Sequence, residues 1–185
     1  MTTLSPAHVA APAIAVRARS IGPAVMVGLI TTAVYTVFSW FQWKTFVVPS
    51  WDLGIFTQLA KQYASLDAPI VAIKGDEFNL LGDHFHPLLV LLAPIYAAFP
   101  SAFTVMLVQN VLFGVAAGTI AFAAGHLLGH PAGVLFGLAF GFSWGLQGAM
   151  EVQFHEIAFA VPLLAFSLTA FLRRQWVACM VWAMP

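Results

Sequence analysis

From residue 84 to residue 150 the chain runs sixty-seven positions without one Asp, Glu, Lys or Arg. Five of its seven carboxylates lie just ahead of that run, between Asp52 and Asp83. A charge at the bilayer centre costs about 2.5–3.5 kcal/mol on insertion scales. A long uncharged run is therefore what a membrane demands, and the concentrated acids must sit where water reaches them. Composition agrees: 61% of residues are hydrophobic and only 8% charged, against about a quarter charged in a soluble domain. The fold class that follows is an all-α, polytopic helical membrane protein with a long first extracytoplasmic loop.

Arg17 and Arg19 precede an apolar stretch over residues 21–43. A secretory h-region is only about 7–15 residues long and ends at a small-residue cleavage site. This stretch is long enough to cross about 30 Å of hydrocarbon, and Lys44-Thr45-Phe46 follows it. It reads as a retained first transmembrane helix. Residues 1–20, rich in Ala, Pro and small polar residues, read as a disordered cytoplasmic tail. The positive-inside rule keeps the N-terminus in the cytoplasm of a plasma (inner) membrane and delivers residues 44–84 to the outer face.

Within that loop, residues 53–65 place Leu53, Phe56, Leu59, Ala60 and Tyr63 on one side of a helix and Thr57, Gln58, Lys61 and Gln62 on the other. The pattern predicts an amphipathic helix lying in the headgroup region. Four apolar segments follow over residues 85–172, at 87–99, 102–125, 132–150 and 155–172, with Arg173-Arg174 after the last. Two cytoplasmic arginine pairs require an odd number of crossings between Asp83 and Arg173, so one segment does not span. Residues 87–99 reach only about 20 Å at about 1.5 Å per residue, and Pro87, Pro94 and Pro100 punctuate them. They predict a short or re-entrant helix. Residues 175–185 begin a further helix that stops after half a span, so the chain reads as the N-terminal piece of a longer protein, inactive by itself.

Zero net charge gives no argument for a nucleic-acid partner, and none is expected. The single cysteine, Cys179, excludes an internal disulfide and any CxxC device. The ionisable groups fall into clusters. Asp52, in Trp51-Asp52-Leu53-Gly54, is either a helix cap favoured by the dipole or a carboxylate with catalytic or metal-binding work; both readings can hold together. In Gly82-Asp83-His84-Phe85-His86-Pro87, alternation puts His84 and His86 on one side of an extended segment. A carboxylate and two imidazoles suit a divalent metal ion; the alternative is interfacial histidines anchoring a helix end. In Glu151-Val152-Gln153-Phe154-His155-Glu156, a helical conformation would put Glu151 and His155 on one face, with a polar helix start as the alternative. His126 and His130 read as part of a turn. Gly133, Gly137 and Gly141 form a small-xxx-small packing face.

Together, Trp51-Asp52-Leu53-Gly54-Ile55-Phe56, Asn79-Leu80-Leu81-Gly82-Asp83-His84-Phe85-His86-Pro87 and Phe154-His155-Glu156 resemble a family of uncharacterised bacterial polytopic membrane proteins, actinobacterial in type, from residue 21 onward. That family is distantly similar to the GT-C superfamily of membrane glycosyltransferases. The resemblance implies a polyprenyl-phosphate-linked sugar donor, a membrane-lipid partner, and work on the extracytoplasmic side. It matches Asp52 to the first-loop acid of those enzymes and His86-Pro87 to their His-Pro element. Here Leu88 replaces a second proline, and Leu53 rather than a second acid follows Asp52. The implied roles are Asp52 as base or metal-linked carboxylate, Asp83, His84 and His86 holding a divalent metal ion or the donor phosphate, and His155 and Glu156 completing the catalytic site. The alternatives are a transporter or channel component, or a non-catalytic membrane scaffold. A transporter should place ionisable groups near the bilayer midplane, and this chain leaves that zone uncharged.

Overall fold

A computed structural model of the chain describes residues 21–47, 49–83 and 85–184. The expected tail, residues 1–20, lies outside the described residues. Eight α-helices follow in order: α1 (Gly22–Lys44), α2 (Asp52–Ala64), α3 (Leu92–Ala98), α4 (Ala102–Leu128), α5 (His130–Gly141), α6 (Trp144–Glu151), α7 (Ala160–Leu172) and α8 (Trp176–Ala183). Among the described residues the only β-pairing is an isolated bridge between Ile70 and Asn79. Among the described residues three stretches are long and apolar enough to cross a membrane: Gly22–Lys44, Ala102–Leu128 and His130–Glu151, the last comprising α5 and α6. The protein is a multi-pass helical membrane protein.

The exposed sides of its long helices are apolar, as a lipid surround requires. The buried stripe of α1 reads Ala24, Val27, Thr31, Tyr35, Ser39 and Gln42, three or four residues apart as a helix face requires. Leu29, Val37 and Phe41 of the same helix are exposed. Small residues let backbones approach. A Cβ added at Gly28 would lie 2.9 Å from the Gly114 carbonyl oxygen, and one at Gly133 would lie 2.6 Å from that of Ala121. Gly137 and Gly141 meet α1 and α4 in the same way. The glycine face of α5 is therefore the seam that brings α1, α4 and α5 together, as the spacing predicts.

Each turn between helices has a local cause. The Ser101 hydroxyl accepts from the Phe103 N–H at 3.2 Å and caps α4. Gly129, at φ +102°, ends α4, and Pro131 opens α5. The third span is interrupted at Phe142-Ser143, where the expected single helix over 132–150 divides into α5 and α6. The interruption frees carbonyls that side chains then serve: Tyr35 donates to Gly141 at 2.6 Å and Gln147 Nε2 to Phe142 at 2.6 Å.

One end of the bundle gathers the C-terminus of α1, all of residues 49–101 described here, and the turn after α6. Trp40 and Trp43 of α1 pack on Phe103 of α4 with centroids 5.6 and 6.2 Å apart, and Gln42 Nε2 donates to the Glu151 carbonyl at 2.9 Å. Pro87–Ala98 begins and finishes at this end, with Leu89 and Leu92 in one cluster with Leu53, Phe56 and Val105. The apolar face of α2 is covered by that cluster, which includes Leu80, Met106 and Phe154. The amphipathic pattern located the face; protein, rather than headgroups, covers it. From residue 156 the chain runs back through α7 to the other end, where the Arg173 guanidinium lies 5.1 Å from the Phe122 ring centroid.

Candidate functional site: a buried carboxylate between two histidines

The site is built on the turn between α6 and α7. Helix α6 stops at Glu151, so Glu151 and His155 do not share a helical face. Gln153 then takes φ +74°, a left-handed conformation unfavourable for a residue with a Cβ. Side chains from two other elements hold the turn in this shape. Gln109, fully buried in α4, donates through Nε2 to the Gln153 carbonyl at 2.7 Å, and its Oε1 accepts from the His155 N–H at 3.0 Å. Gln153 Nε2 donates to the Val47 carbonyl at 2.7 Å, and Gln42 holds the carbonyl of Glu151. Phe154 plugs the turn into the core against Phe56, centroids 5.4 Å apart.

This clamp fixes His155 and Glu156 at the start of a short 3₁₀ turn, Glu156–Phe159. The Glu156 carboxylate is almost wholly buried, its side chain 6% exposed. His155 Nδ1 stands 2.9 Å from its Oε2 and His86 Nε2 stands 3.6 Å from its Oε1. The 2.9 Å approach lacks hydrogen-bond alignment and Oε2 accepts no aligned hydrogen bond, while His155 Nδ1 accepts from the Ile157 N–H at 3.5 Å. The two histidines are about half exposed. With Phe85, Pro87, Ile157 and Phe159 they line a cleft of about 390 Å³. Phe159 also borders an apolar groove of about 680 Å³ running past Leu91, Ile95 and Phe99 to Leu107 and Val111 of α4.

The structure thus brings His86, His155 and Glu156 together from segments seventy residues apart in sequence. Asp52 is the first residue of α2, with Trp51 in the cap position and no side-chain cap bond. Its carboxylate does not line the cleft. It lies one helical turn before Phe56, whose ring centroid is 6.2 Å from that of His155. Asp83 pairs with Lys74 across the loop that follows α2. His84 lies outside the described residues. Among the described residues no group of three or more His, Cys, Asp or Glu side chains is placed to hold a metal ion; His84, one of the three expected ligands, is not among those residues. His126 lies at the opposite end, Nδ1 3.0 Å from the Phe122 carbonyl.

Sequence reasoning singled out the ionisable groups and missed the amides that position them. Gln42 and Gln109 carried the available signal, as primary amides within otherwise apolar spans, where a polar side chain needs a partner.

Residues 43–185 match the family described as "Predicted membrane protein (DUF2079)", and the chain belongs to it. No curated protein and no solved structure matches the chain.

Proposed function

We propose that this member of a membrane-protein family is part of a glycosyltransferase resembling the GT-C type, using a polyprenyl-phosphate-linked sugar at the outer face of the plasma membrane. The observation that carries the reading is the buried Glu156 carboxylate, set between two imidazoles at the mouth of an apolar groove. Buried ionisable groups that converge at a membrane surface need a reason to be there, and catalysis supplies one.

In the reaction, Glu156 takes the proton from an acceptor hydroxyl as the hydroxyl oxygen bonds to the anomeric carbon. The bond from that carbon to the phosphate oxygen breaks, and its electron pair leaves with the polyprenyl phosphate. His86, half exposed on the cleft wall, faces the departing phosphate as a hydrogen-bond donor or, protonated, as a cation. His155 orients the carboxylate. The polyprenyl chain lies in the groove past Phe159. Asp52, matched by resemblance to the first-loop acid, lies one helical turn before Phe56 and does not line the cleft; the geometry favours Glu156 as the base. No step is routed through a metal ion.

Glu156→Gln tests the reading, because it removes the charge and preserves the shape. In the full-length chain, sugar transfer from a radiolabelled polyprenyl-phosphate donor should fall by about 10²–10⁴-fold, the scale of a general acid–base group, with abundance and membrane insertion unchanged. Transfer at the wild-type rate would sink it.

A further inference from the structure

We infer that a groove between α1, α4 and α7 holds an acyl chain of an anionic phospholipid, with the lipid phosphate on Arg173. The groove has a volume of about 550 Å³, and Leu29, Val111 and Val115 of its lining are exposed. Its only polar side chains are Thr32, Thr119 and Thr169. Each hydroxyl already donates to a backbone carbonyl, those of Asn110, Val115 and Ala165. Nothing in the wall asks for a polar occupant.

The length suits a lipid chain. From Ile21 to Thr32 on one side and from Val111 to Phe122 on the other, the groove runs about 17 Å at about 1.5 Å per residue. One leaflet supplies about half of the 30 Å hydrocarbon core, so a single acyl chain fills the groove from end to end. Beyond Val111 begins the separate groove that leads to Phe159.

Charge selects the headgroup. Arg173 follows Thr169 by one helical turn, its N–H donating to the Thr169 carbonyl at 3.2 Å. Its guanidinium stands 5.1 Å from the ring centroid of Phe122, at the end of the groove. Arg173 and Arg174 are exposed, and among the described residues neither forms an ion pair. No carboxylate is near enough to serve them: five lie within residues 52–83 and the others are Glu151 and Glu156, all at the opposite end of the bundle. A zwitterionic headgroup brings a cation of its own to this basic end, whereas a headgroup with net negative charge supplies the missing counter-ion. The inference stands apart from the transferase reading, because the groove and the carboxylate cleft share no residue.

The test places the full-length chain in nanodiscs of equal parts phosphatidylglycerol and phosphatidylethanolamine, and native mass spectrometry counts the lipids that stay bound. The wild type is expected to keep phosphatidylglycerol in preference. Arg173→Gln removes the charge at an exposed position and should cut that preference about fivefold, with an unchanged melting midpoint. Val115→Trp fills the groove from a site 41% exposed and should lower bound phosphatidylglycerol with the arginines intact. Benzoylphenylalanine introduced at Val111 and irradiated should give an adduct with the mass of phosphatidylglycerol, a readout that does not depend on either variant. A cross-link to another segment of the chain or to a second copy would assign the groove to a helix and overturn the inference. So would equal retention of the two lipids by the wild type, an unchanged preference in Arg173→Gln, or unchanged phosphatidylglycerol binding in Val115→Trp.

Discussion

Two carboxylates compete for the role of base, and their surroundings separate them. Glu156 is buried with an imidazole at 2.9 Å; Asp52 is partly exposed on the first turn of α2, where a negative charge favours the helix dipole. Asp52→Asn keeps the shape of the helix start. It should lower transfer less than tenfold and leave abundance unchanged, in contrast to the much larger loss in Glu156→Gln. A loss of 10²-fold or more on Asp52→Asn, measured in the same transfer assay, would move the base to α2. The sequence made both acids visible because ionisable residues are scarce in an apolar chain. It could not rank them, because burial of Glu156 depends on Gln109 holding the His155 N–H from another helix. Gln153 was equally hard to read: nothing in its neighbours signals a left-handed backbone.

Among helices, packing distance decides which glycines matter. A Cβ at Gly133 would meet backbone atoms of Ala121 and Gly125 at 2.6–2.8 Å, and backbone cannot step aside. Gly133→Ala should destabilise by about 1–3 kcal/mol, the usual cost of overpacking. At Gly148 in α6 nothing lies within 4 Å of the added carbon, so Gly148→Ala should be neutral or stabilising by up to about 1 kcal/mol through helix propensity. The midpoint of thermal loss of monodisperse protein in detergent distinguishes the two; equal midpoints would remove α5 from the seam. The four-residue glycine spacing made this face legible in advance. The interruption at Phe142-Ser143 was not legible, since neither residue is a strong breaker and the freed carbonyls are served by Tyr35 and Gln147. The apolar face of α2 was also readable, but a helical period says which side is buried and not what covers it.

For the whole molecule, charge patterning predicts which end faces water on which side. If Arg17, Arg19, Arg173 and Arg174 are cytoplasmic, as the positive-inside rule predicts, the loop carrying Asp76 and Glu77 is expected outside. In a Cys179→Ser background, single cysteines at Asp76 and Arg173, both exposed, should differ: an impermeant maleimide applied to intact cells should label only the first. Labelling of both, or of Arg173 alone, would reverse or break the proposed orientation. The clamp on the Glu151–His155 turn also bears on how the chain is made. The amides of Gln42 and Gln109 find their carbonyl partners 109 and 44 residues later in the chain. Synthesis proceeds from the N-terminus, so α1 and α4 enter the bilayer before those partners exist and must borrow others meanwhile. That end is therefore the last part of the helical bundle to be completed, and a ribosome halted before Glu151 leaves two inserted helices with polar groups still seeking a match.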